Sequence, residues 1–321
     1  METDQYPETI KNSLRFYENK VAPLIEKRFS EYASRIAVGL AGEGSDCFGY
    51  DDLISRDHDF GTGVCLWVME EDMEEFGYLL SIVYNEMAAK NGAGGISQRL
   101  RERRGVMTVH DFYSNILGID CDVRNCSISD ADWRALDHSC LATAVNGRVF
   151  RDDAGVFTAF RNKLLAYYPD RIWRIRIAGE LHRFSASVQV NYARCMTRGD
   201  IVAARICHAE GLRAAMELFF LMKRVYSPYY KWTFRRLEEM DEDGTFAGLV
   251  RKFSALTCAE AAWKGVRYDA DQLNTADPVV TGAEKLAQQI VSMLRGHGFI
   301  SEDDPYLEKY VNSILQEEQG R

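Results

Sequence analysis

The spacing of apolar positions in the first third of the chain alternates between helical and strand-like. Apolar side chains recur three or four positions apart over residues 8–33, which predicts an amphipathic helix. A continuous apolar run at 36–40 predicts a buried strand, and further strands are predicted at 57–68 and 105–109. The acidic segment 70–90 predicts a second helix. Its side chains expected to face the core are Met73, Phe76, Leu79, Leu80 and Val83.

The pattern changes after about residue 155. Residues 147–153 form the last predicted strand, and the following segments are rich in Ala, Leu, Met and Arg at helical spacing. Helices are predicted at about 157–167, 170–197, 200–225, 230–240, 246–264, 281–296 and 305–317. We therefore expect an α+β fold with two domains, an α/β domain at 1–155 and an all-helical domain at 156–321.

Composition and charge then narrow the class of protein. The formal net charge is −9, which argues against a partner bound mainly through phosphates and leaves nucleic acid less favoured. No apolar stretch approaches the roughly 18 residues that a membrane helix needs, and the polar N-terminus lacks a signal-peptide core. The eight cysteines are scattered singly, without zinc-site spacing. These features predict a cytoplasmic protein that does not contact a membrane.

Candidate chemistry lies in Gly44-Ser45 and in Asp57-His58-Asp59. In a strand, residues two apart point to the same face, so Asp57 and Asp59 would project side by side. Two such carboxylates repel each other unless a divalent cation lies between them, which predicts both as ligands of Mg²⁺ or Mn²⁺. A small-residue turn after a strand lets backbone N–H groups and the Ser45 hydroxyl donate to phosphate. The residues predict a site for a metal-bound nucleoside triphosphate, in which Asp57 and Asp59 are catalytic.

The same residues carry a family resemblance. Gly44-Ser45, a gap of eleven residues and Asp57-x-Asp59 resemble the signature of the polymerase-beta-like nucleotidyltransferases, although His58 stands where that family usually has a hydrophobic residue. The run GEGSDCFGYDDLISRDHDFG is similar to a bacterial domain-of-unknown-function family assigned to that superfamily. This similarity continues through NGRVFRDDAGVFTAFRNKLLAYYP, RCMTRGD and SPYYKW, roughly residues 35–235 in all.

The resemblance implies both a fold and an activity. The N-terminal domain would have the nucleotidyltransferase fold, a mixed sheet with flanking helices, and the helical domain would hold substrate or nucleotide. The implied reaction moves a nucleoside monophosphate from a nucleoside triphosphate to a hydroxyl group of an acceptor. A small-molecule acceptor is favoured, and tRNA or a protein are the other options.

Part of the family pattern is missing. A third carboxylate normally joins the metal site from a neighbouring strand, but the strand predicted at 105–109 contains no acid. Asp111, Asp120 and Asp122 lie just beyond it as candidates. The missing acid keeps a second hypothesis open, a nucleotide-binding regulatory module without turnover.

A more distant resemblance concerns the helical domain. Lys231-Trp232 is similar to a Gly-Lys-Trp stretch of the kanamycin nucleotidyltransferases, which implies that Lys231 contacts a nucleotide phosphate. Those enzymes have a catalytic glutamate four residues before the lysine, where this chain has Ser227. Glu210 and Glu217 on the preceding predicted helix are candidate substitutes. The neighbouring aromatic side chains could equally fill a core.

Two groups of charged residues have plain interpretations. Arg99, Arg101, Arg103 and Arg104 form the densest basic run, which favours a solvated loop over a site for triphosphate, an acidic acceptor or RNA. The acids beside the Gly44-Ser45 turn, Glu43 and Asp46 among them, are interpreted as loop solvation.

Overall fold

A computed structural model of the chain describes residues 7–50, 52, 54, 62–93 and 103–316. The chain divides into two compact units, Met1–Tyr167 and Tyr168–Arg321. The first combines helices with a small mixed sheet, and the second is helical throughout the part that is described. The predicted α+β fold, a mixed sheet with flanking helices followed by a helical region, is confirmed. Within these described residues, every helix is too short or too polar to span a lipid bilayer.

The first unit opens with a helical run, as the spacing over 8–33 predicts. Helix α1 (Glu8–Phe16) passes through a π-helical turn, Tyr17–Val21, into α2 (Ala22–Arg28). A 3₁₀ helix, Ser30–Arg35, leads into the sheet. The later helices of the unit are α3 (Glu70–Asp72), α4 (Tyr78–Ala88), α5 (Val109–Leu117), α6 (Asp130–Ala135), α7 (His138–Val145) and α8 (Val156–Leu165).

Four strands form the sheet in the described part of this unit: β1 (Ala37–Leu40), β2 (Cys65–Val68), β3 (Gly105–Thr108) and β4 (Arg148–Arg151). Their order is β3-β2-β1-β4, with β1 antiparallel to both neighbours and β2 parallel to β3. This register gives the sheet two ends. The Leu40 end contains Leu40, Cys65, Gly105 and Arg148, and the Val68 end contains Ala37, Val68, Thr108 and Arg151.

One face of the sheet is covered by α1, α2 and α4, which pack on it through apolar side chains. Val38, Leu66 and Val68 pack there in one buried cluster with residues such as Ile25 and Leu80. Burial of this kind contributes roughly 1.5–3 kcal/mol for each large aliphatic side chain, so the cluster is what holds the helices on the sheet. The opposite face carries Gly39 and Trp67 and is covered by α5 and α8.

The second strand is shorter than predicted. The expected strand at 57–68 begins only at Cys65, and the N–H of the preceding Val64 is bonded to a side chain outside the sheet. The Val64 N–H donates to the Tyr84 hydroxyl at 3.1 Å, and the Val64 carbonyl accepts from Gly105 N at 2.9 Å. Residues 62–64 are therefore not strand, and the prediction for them is wrong.

The helix predicted at 70–90 is confirmed, with one inward residue wrong. Its π-helical turn, Met73–Gly77, joins α3 to α4, and a second one, Ala89–Ala93, follows. Phe76, Leu80 and Val83 are buried as predicted, but the Leu79 side chain is 54% exposed. Leu79 lies at the edge of the buried stripe, which is narrower than the apolar pattern suggests.

The apolar pattern predicts no element over residues 110–146, yet α5, α6 and α7 occupy much of this stretch. The helix starts are marked by capping side chains instead. Thr108 accepts from Asp111 N at 2.9 Å, and Ser129 accepts from Asp132 N at 3.1 Å. A hydroxyl residue followed three positions later by an acid is a helix-start signal, so capping would have located two of these helices.

In the second unit the predicted helices recur with small changes of boundary. Helix α9 (Asp170–Phe184) continues through a π-helical segment, Ser185–Asn191, into α10 (Tyr192–Thr197). The others are α11 (Ile201–Lys223), α12 (Tyr230–Met240), α13 (Thr245–Ser254), α14 (Pro278–Gly296) and α15 (Glu308–Gln316).

One predicted helix of this unit is too long. The helix expected at 246–264 ends at Ser254, and a separate 3₁₀ turn, Glu260–Trp263, follows. The Trp263 indole N–H donates to the buried Asp277 carboxylate at 2.6 Å. Asp277 also caps α14 by accepting from Val279 N at 2.8 Å, so this turn is tied to the start of α14 rather than to α13.

Candidate functional site

Gly44 and Ser45 lie in a turn that leaves β1 at the Leu40 end of the sheet. Gly42 and Gly44 have φ angles of 102° and 122°, a region that residues with a Cβ rarely adopt. A Cβ at residue 44 would also lie 2.3 Å from Asp46 Oδ1. After Gly44 the chain coils tightly, since Tyr50 N donates to the Ser45 carbonyl at 2.8 Å. The turn therefore depends on glycine at these two positions.

Residues just before β4 hold one side of this turn. The Asn146 side chain accepts from Gly42 N at 2.8 Å and donates to the Gly42 carbonyl at 2.7 Å. Gly147 N donates to the Cys47 carbonyl at 3.0 Å. Arg161 in turn donates to the Asn146 carbonyl at 2.8 Å. These bonds fix the backbone of the turn against the start of β4.

A buried ion pair holds the other side. Arg104 Nη2 lies 3.0 Å from Asp46 Oδ2, and the two side chains are 4% and 8% exposed. The second Asp46 oxygen accepts from Cys47 N at 3.0 Å. Burial disfavours the charge on Arg104, but the neighbouring Cys47 and Asp46 outweigh burial and raise the pKa of Arg104 above its ordinary value. Arg104 is therefore a cation locked under the turn.

The interpretation of this basic run as a solvated loop is wrong for Arg103 and Arg104. Arg103 pairs with Glu43 of the turn at 2.9 Å, and Arg104 is buried. Arg99 and Arg101 lie outside the described residues. Asp46 is likewise a structural acid rather than loop solvation. The sequence carries no local sign of this pair, because the two partners lie on different chain segments that meet only in the folded sheet.

The predicted metal ligands Asp57 and Asp59, with His58 between them, lie outside the described residues. The chain that follows them is described from residue 62 and enters the sheet at the Leu40 end. A Cβ at Gly63 would lie 3.5 Å from Arg104 Cγ, so this segment passes directly beside the buried ion pair. Among the described residues there is no group of three or more His, Cys, Asp or Glu side chains that could hold a metal ion.

Of the three candidate third acids, Asp111 lies nearest the turn. It lines a cavity of about 290 Å³ together with Gly42, Glu43 and Arg103. The Asp111 side chain is 58% exposed, and its backbone N–H is bonded to the Thr108 hydroxyl at the start of α5. An exposed carboxylate beside the turn is a suitable oxygen donor for a hard cation.

Asp120 and Asp122 are engaged elsewhere. Asp120 Oδ1 lies 2.7 Å from His110 Nε2, and this hydrogen bond raises the pKa of His110. Asp122 accepts from the side chain of Asn125 at 2.9 Å and from its backbone N–H at 3.1 Å. The bonds to Asn125 hold the pKa of Asp122 below its usual value. Neither acid lines the cavity beside the turn.

Lys231 lies in the first turn of α12, in the helical unit. Its side chain is exposed, and Nζ lies 5.7 Å from the centre of the Trp232 ring. Trp232 and Tyr226 are buried, whereas Tyr230 is 89% exposed. The aromatic cluster thus fills core space and leaves an exposed cation at its edge.

The helical unit brings a carboxylate beside Ser227, four residues before Lys231. Ser227 is buried before α12, and its hydroxyl donates to Glu217 Oε1 at 3.2 Å. Glu217 comes from α11 and is itself only 5% exposed. Glu210, the other candidate, lies on the exposed side of the same helix. The structure therefore separates two acids that the sequence alone left equivalent.

Comparison with known proteins gives one match. The sequence model of the family described as Domain of unknown function (DUF4037) matches residues 133–233. That segment runs from α6 to α12 and contains Asn146, Glu217, Ser227 and Lys231. No curated protein and no solved structure matched the chain. The match supports the domain-of-unknown-function part of the resemblance, and the nucleotidyltransferase part stays a prediction.

Proposed function

We propose that the protein is a metal-dependent nucleotidyltransferase. It would transfer a nucleoside monophosphate group from a nucleoside triphosphate to a hydroxyl of an acceptor, for which we favour a small molecule. The turn at the Leu40 end of the sheet is the observation that carries the proposal. Gly44 and Ser45 are partly exposed in this turn, and its shape is held by the Asp46–Arg104 pair and by the bonds of Asn146 to the buried Gly42.

The chemistry of the turn suits a triphosphate. Glycine backbone can approach phosphate oxygens closely, and N–H groups in such a turn form a concave anion site. Because the turn is held by buried bonds, it needs little reorganisation when phosphate binds, which favours catalysis by positioning. The proposal assigns phosphate binding to Gly44 and Ser45.

The proposal assigns metal binding to Asp57 and Asp59, which precede Gly63 in the sequence by six and four residues. Asp111 is our candidate for the third acid, since it lies beside Gly42 in the same cavity. Aspartate oxygens are the donors that Mg²⁺ prefers, so the chemistry of this set fits the ion. Bound Mg²⁺ or Mn²⁺ would neutralise charge on the triphosphate and align the reacting oxygens.

For the helical unit, the family resemblance suggests two candidate residues, a base and a cation. Glu217 is our candidate to accept the proton of the attacking hydroxyl, since its carboxylate stands beside Ser227. The hydroxyl oxygen then bonds to the α-phosphorus, and pyrophosphate leaves. Lys231, exposed at the start of α12, would donate to a phosphate oxygen.

The test is nucleotide turnover by the full chain. The protein is incubated with Mg²⁺, each α-labelled nucleoside triphosphate and a cell extract, and released pyrophosphate and labelled products are measured. We expect Asp57→Asn and Asp59→Asn each to lower turnover by about 10²–10³-fold, because each removes a charge that acts on the transferred phosphate. Asp120→Asn, whose carboxylate is bonded to His110, is the matched control and should retain turnover.

Glu217→Gln and Glu210→Gln form a second matched pair on one helix. Loss of a general base lowers turnover by about 10²–10⁴-fold, so we expect the Glu217 variant to fail and the Glu210 variant to resemble the wild type. Equal activity of the pair would remove Glu217 from the mechanism. Tight binding of nucleotide without turnover for any acceptor would instead favour the regulatory module.

A further inference from the structure

A second cavity lies in the same unit, at the Val68 end of the sheet. Its volume is about 490 Å³, within the range of small-molecule sites. It is bordered by the start of β1 and by the segments that follow β2, β3 and β4. Ligands of open α/β sheets bind outside the carboxyl ends of strands, and three of the four described strands end here.

The floor of the cavity contains an unpaired donor. Trp67 is fully buried, and among the described residues its indole Nε1–H has no hydrogen-bond acceptor. Phe157 stacks on the Trp67 ring with centroids 3.7 Å apart, and the benzo edge of the ring lies against Gly39, where a Cβ would come within 3.0 Å of it. The benzo edge is thus occupied by Gly39, and we expect the pyrrole edge with its N–H to face the cavity that Trp67 lines. A buried indole N–H normally has an acceptor, so the missing one is expected from a ligand.

Two backbone donors lie beside it. Residues 154–157, at the start of α8, line the cavity, and Gly155 there has a φ angle of 73°. Asp152 accepts from Gly155 N at 3.0 Å and from Thr158 N at 2.7 Å. The N–H groups of Val156 and Phe157 have no such acceptor in the described part of the chain. The first N–H groups of a helix attract negative oxygen atoms.

The charged side chains that line the cavity are three acids and two arginines. Its acidic side chains are already bonded: Asp152 to the α8 backbone, Asp72 to Arg35 and Glu71 to Arg124. Arg35 and Arg124 both line the cavity, and their side chains are 38% and 56% exposed. A partly exposed arginine keeps N–H groups available for a further oxygen, because its guanidinium carries five donors.

We propose that this cavity binds a small organic anion through carboxylate or phosphate oxygens. The oxygens would accept from Trp67 Nε1 and from the first N–H groups of α8. The apolar part of the ligand would pack on Val109, Val123 and Phe157, which line the same cavity. The site lies at the opposite end of the sheet from the Gly44 turn and does not rest on the proposed nucleotidyl transfer.

The indole N–H of Trp67 is itself the reporter. The chain has five tryptophans, so ¹⁵N labelling of the indoles gives five side-chain signals, and Trp67→Phe identifies the one of interest. The full chain is titrated with benzoate and with phenyl phosphate, with neutral benzyl alcohol as the control probe. We expect the Trp67 signal to shift saturably with either anion and not with the alcohol.

Two variants test the contacts by calorimetry with the same probes. Trp67→Phe keeps an aromatic ring and removes the donor, so we expect affinity to fall about tenfold. Arg124→Gln, at a partly exposed position, should lower affinity by a smaller factor, whereas Arg28→Gln on α2 should leave it unchanged. A Trp67 signal that neither anion moves would overturn the proposal. Equal affinity in wild type, Trp67→Phe and Arg124→Gln would do the same.

Discussion

The two ends of the small sheet differ in how their buried polar groups are hydrogen-bonded. At the Leu40 end a chain turn is held from both sides, by a buried Asp46–Arg104 pair and by the Asn146 amide. At the Val68 end a cavity is left, with the unpaired indole N–H of Trp67 in its floor. Buried polar groups that bond to each other make the backbone around them rigid. A buried donor without an acceptor is instead expected to bond to a ligand. The same sheet therefore carries a rigid turn at one end and an open cavity at the other.

The largest difference in stability between the two ends is expected when the ion pair at each end is broken. Arg104→Met leaves Asp46 buried without its partner and should lower the free energy of unfolding by about 3–5 kcal/mol. Arg124→Gln breaks the exposed pair with Glu71 at the other end and should lower the free energy of unfolding far less. Urea unfolding followed by circular dichroism measures both.

A double variant checks the reason for this difference. Adding Asp46→Leu to Arg104→Met should recover part of the loss, because no unpaired charge is then buried. A double variant as unstable as Arg104→Met alone would contradict the ion-pair explanation.

One glycine at each end allows the rigidity of the backbone to be compared by substitution. Gly147 and Gly155 both have left-handed φ angles, 64° and 73°. An added Cβ at Gly147 would lie 1.9 Å from the Leu40 carbonyl oxygen, whereas one at Gly155 would meet nothing within 4 Å. We expect Gly147→Ala to lower the free energy of unfolding by about 2–4 kcal/mol and Gly155→Ala by about 1 kcal/mol. Similar losses in the same urea experiment would show that the Leu40 end relaxes more readily than its contacts suggest.

The smallest expected effect is a pH dependence at the start of α5. The hydrogen bond to Asp120 raises the pKa of His110 in the folded chain above its unfolded value. The bond therefore stabilises the fold fully below the unfolded pKa, and this contribution is lost as pH rises through the folded pKa. The His110 side chain is 33% exposed and the Asp120 side chain 96%, so only a few tenths of a kcal/mol are expected.

The measurement is the free energy of unfolding between about pH 5 and pH 8. Asp120→Asn should remove the part of the slope that comes from His110. An unchanged slope in that variant would show that the bond contributes nothing measurable.

The sequence predicted local features of the fold well. The run at 36–40 became β1, and Asp200 caps α11 by accepting from Ala203 N at 3.0 Å, directly after Gly199 with its φ of 74°. Such features depend on neighbours along the chain, so the residues carry them in plain order. The break after Ser254 was missed because it follows from the distant contact between Trp263 and Asp277.

The candidate site was predicted less completely for the same reason. Gly44 and Ser45 were recognised from their own neighbourhood, but the supports of their turn come from distant segments. Arg104 and Asn146 each reach the turn only because β3 and β4 enter the sheet at its Leu40 end. Glu217 was one of two equivalent acids until folding placed its carboxylate beside Ser227.

The Asn146 amide also bears on how the protein ages chemically. Asparagine followed by glycine is the dipeptide most prone to deamidation, in which the glycine nitrogen attacks the side-chain carbonyl carbon. In the folded chain both groups are bonded to other residues: Gly147 N donates to the Cys47 carbonyl, and both polar atoms of the Asn146 side chain are bonded to Gly42. The hydrogen bonds that shape the turn therefore slow deamidation of Asn146. We expect unfolded chains to deamidate at this residue faster than folded ones.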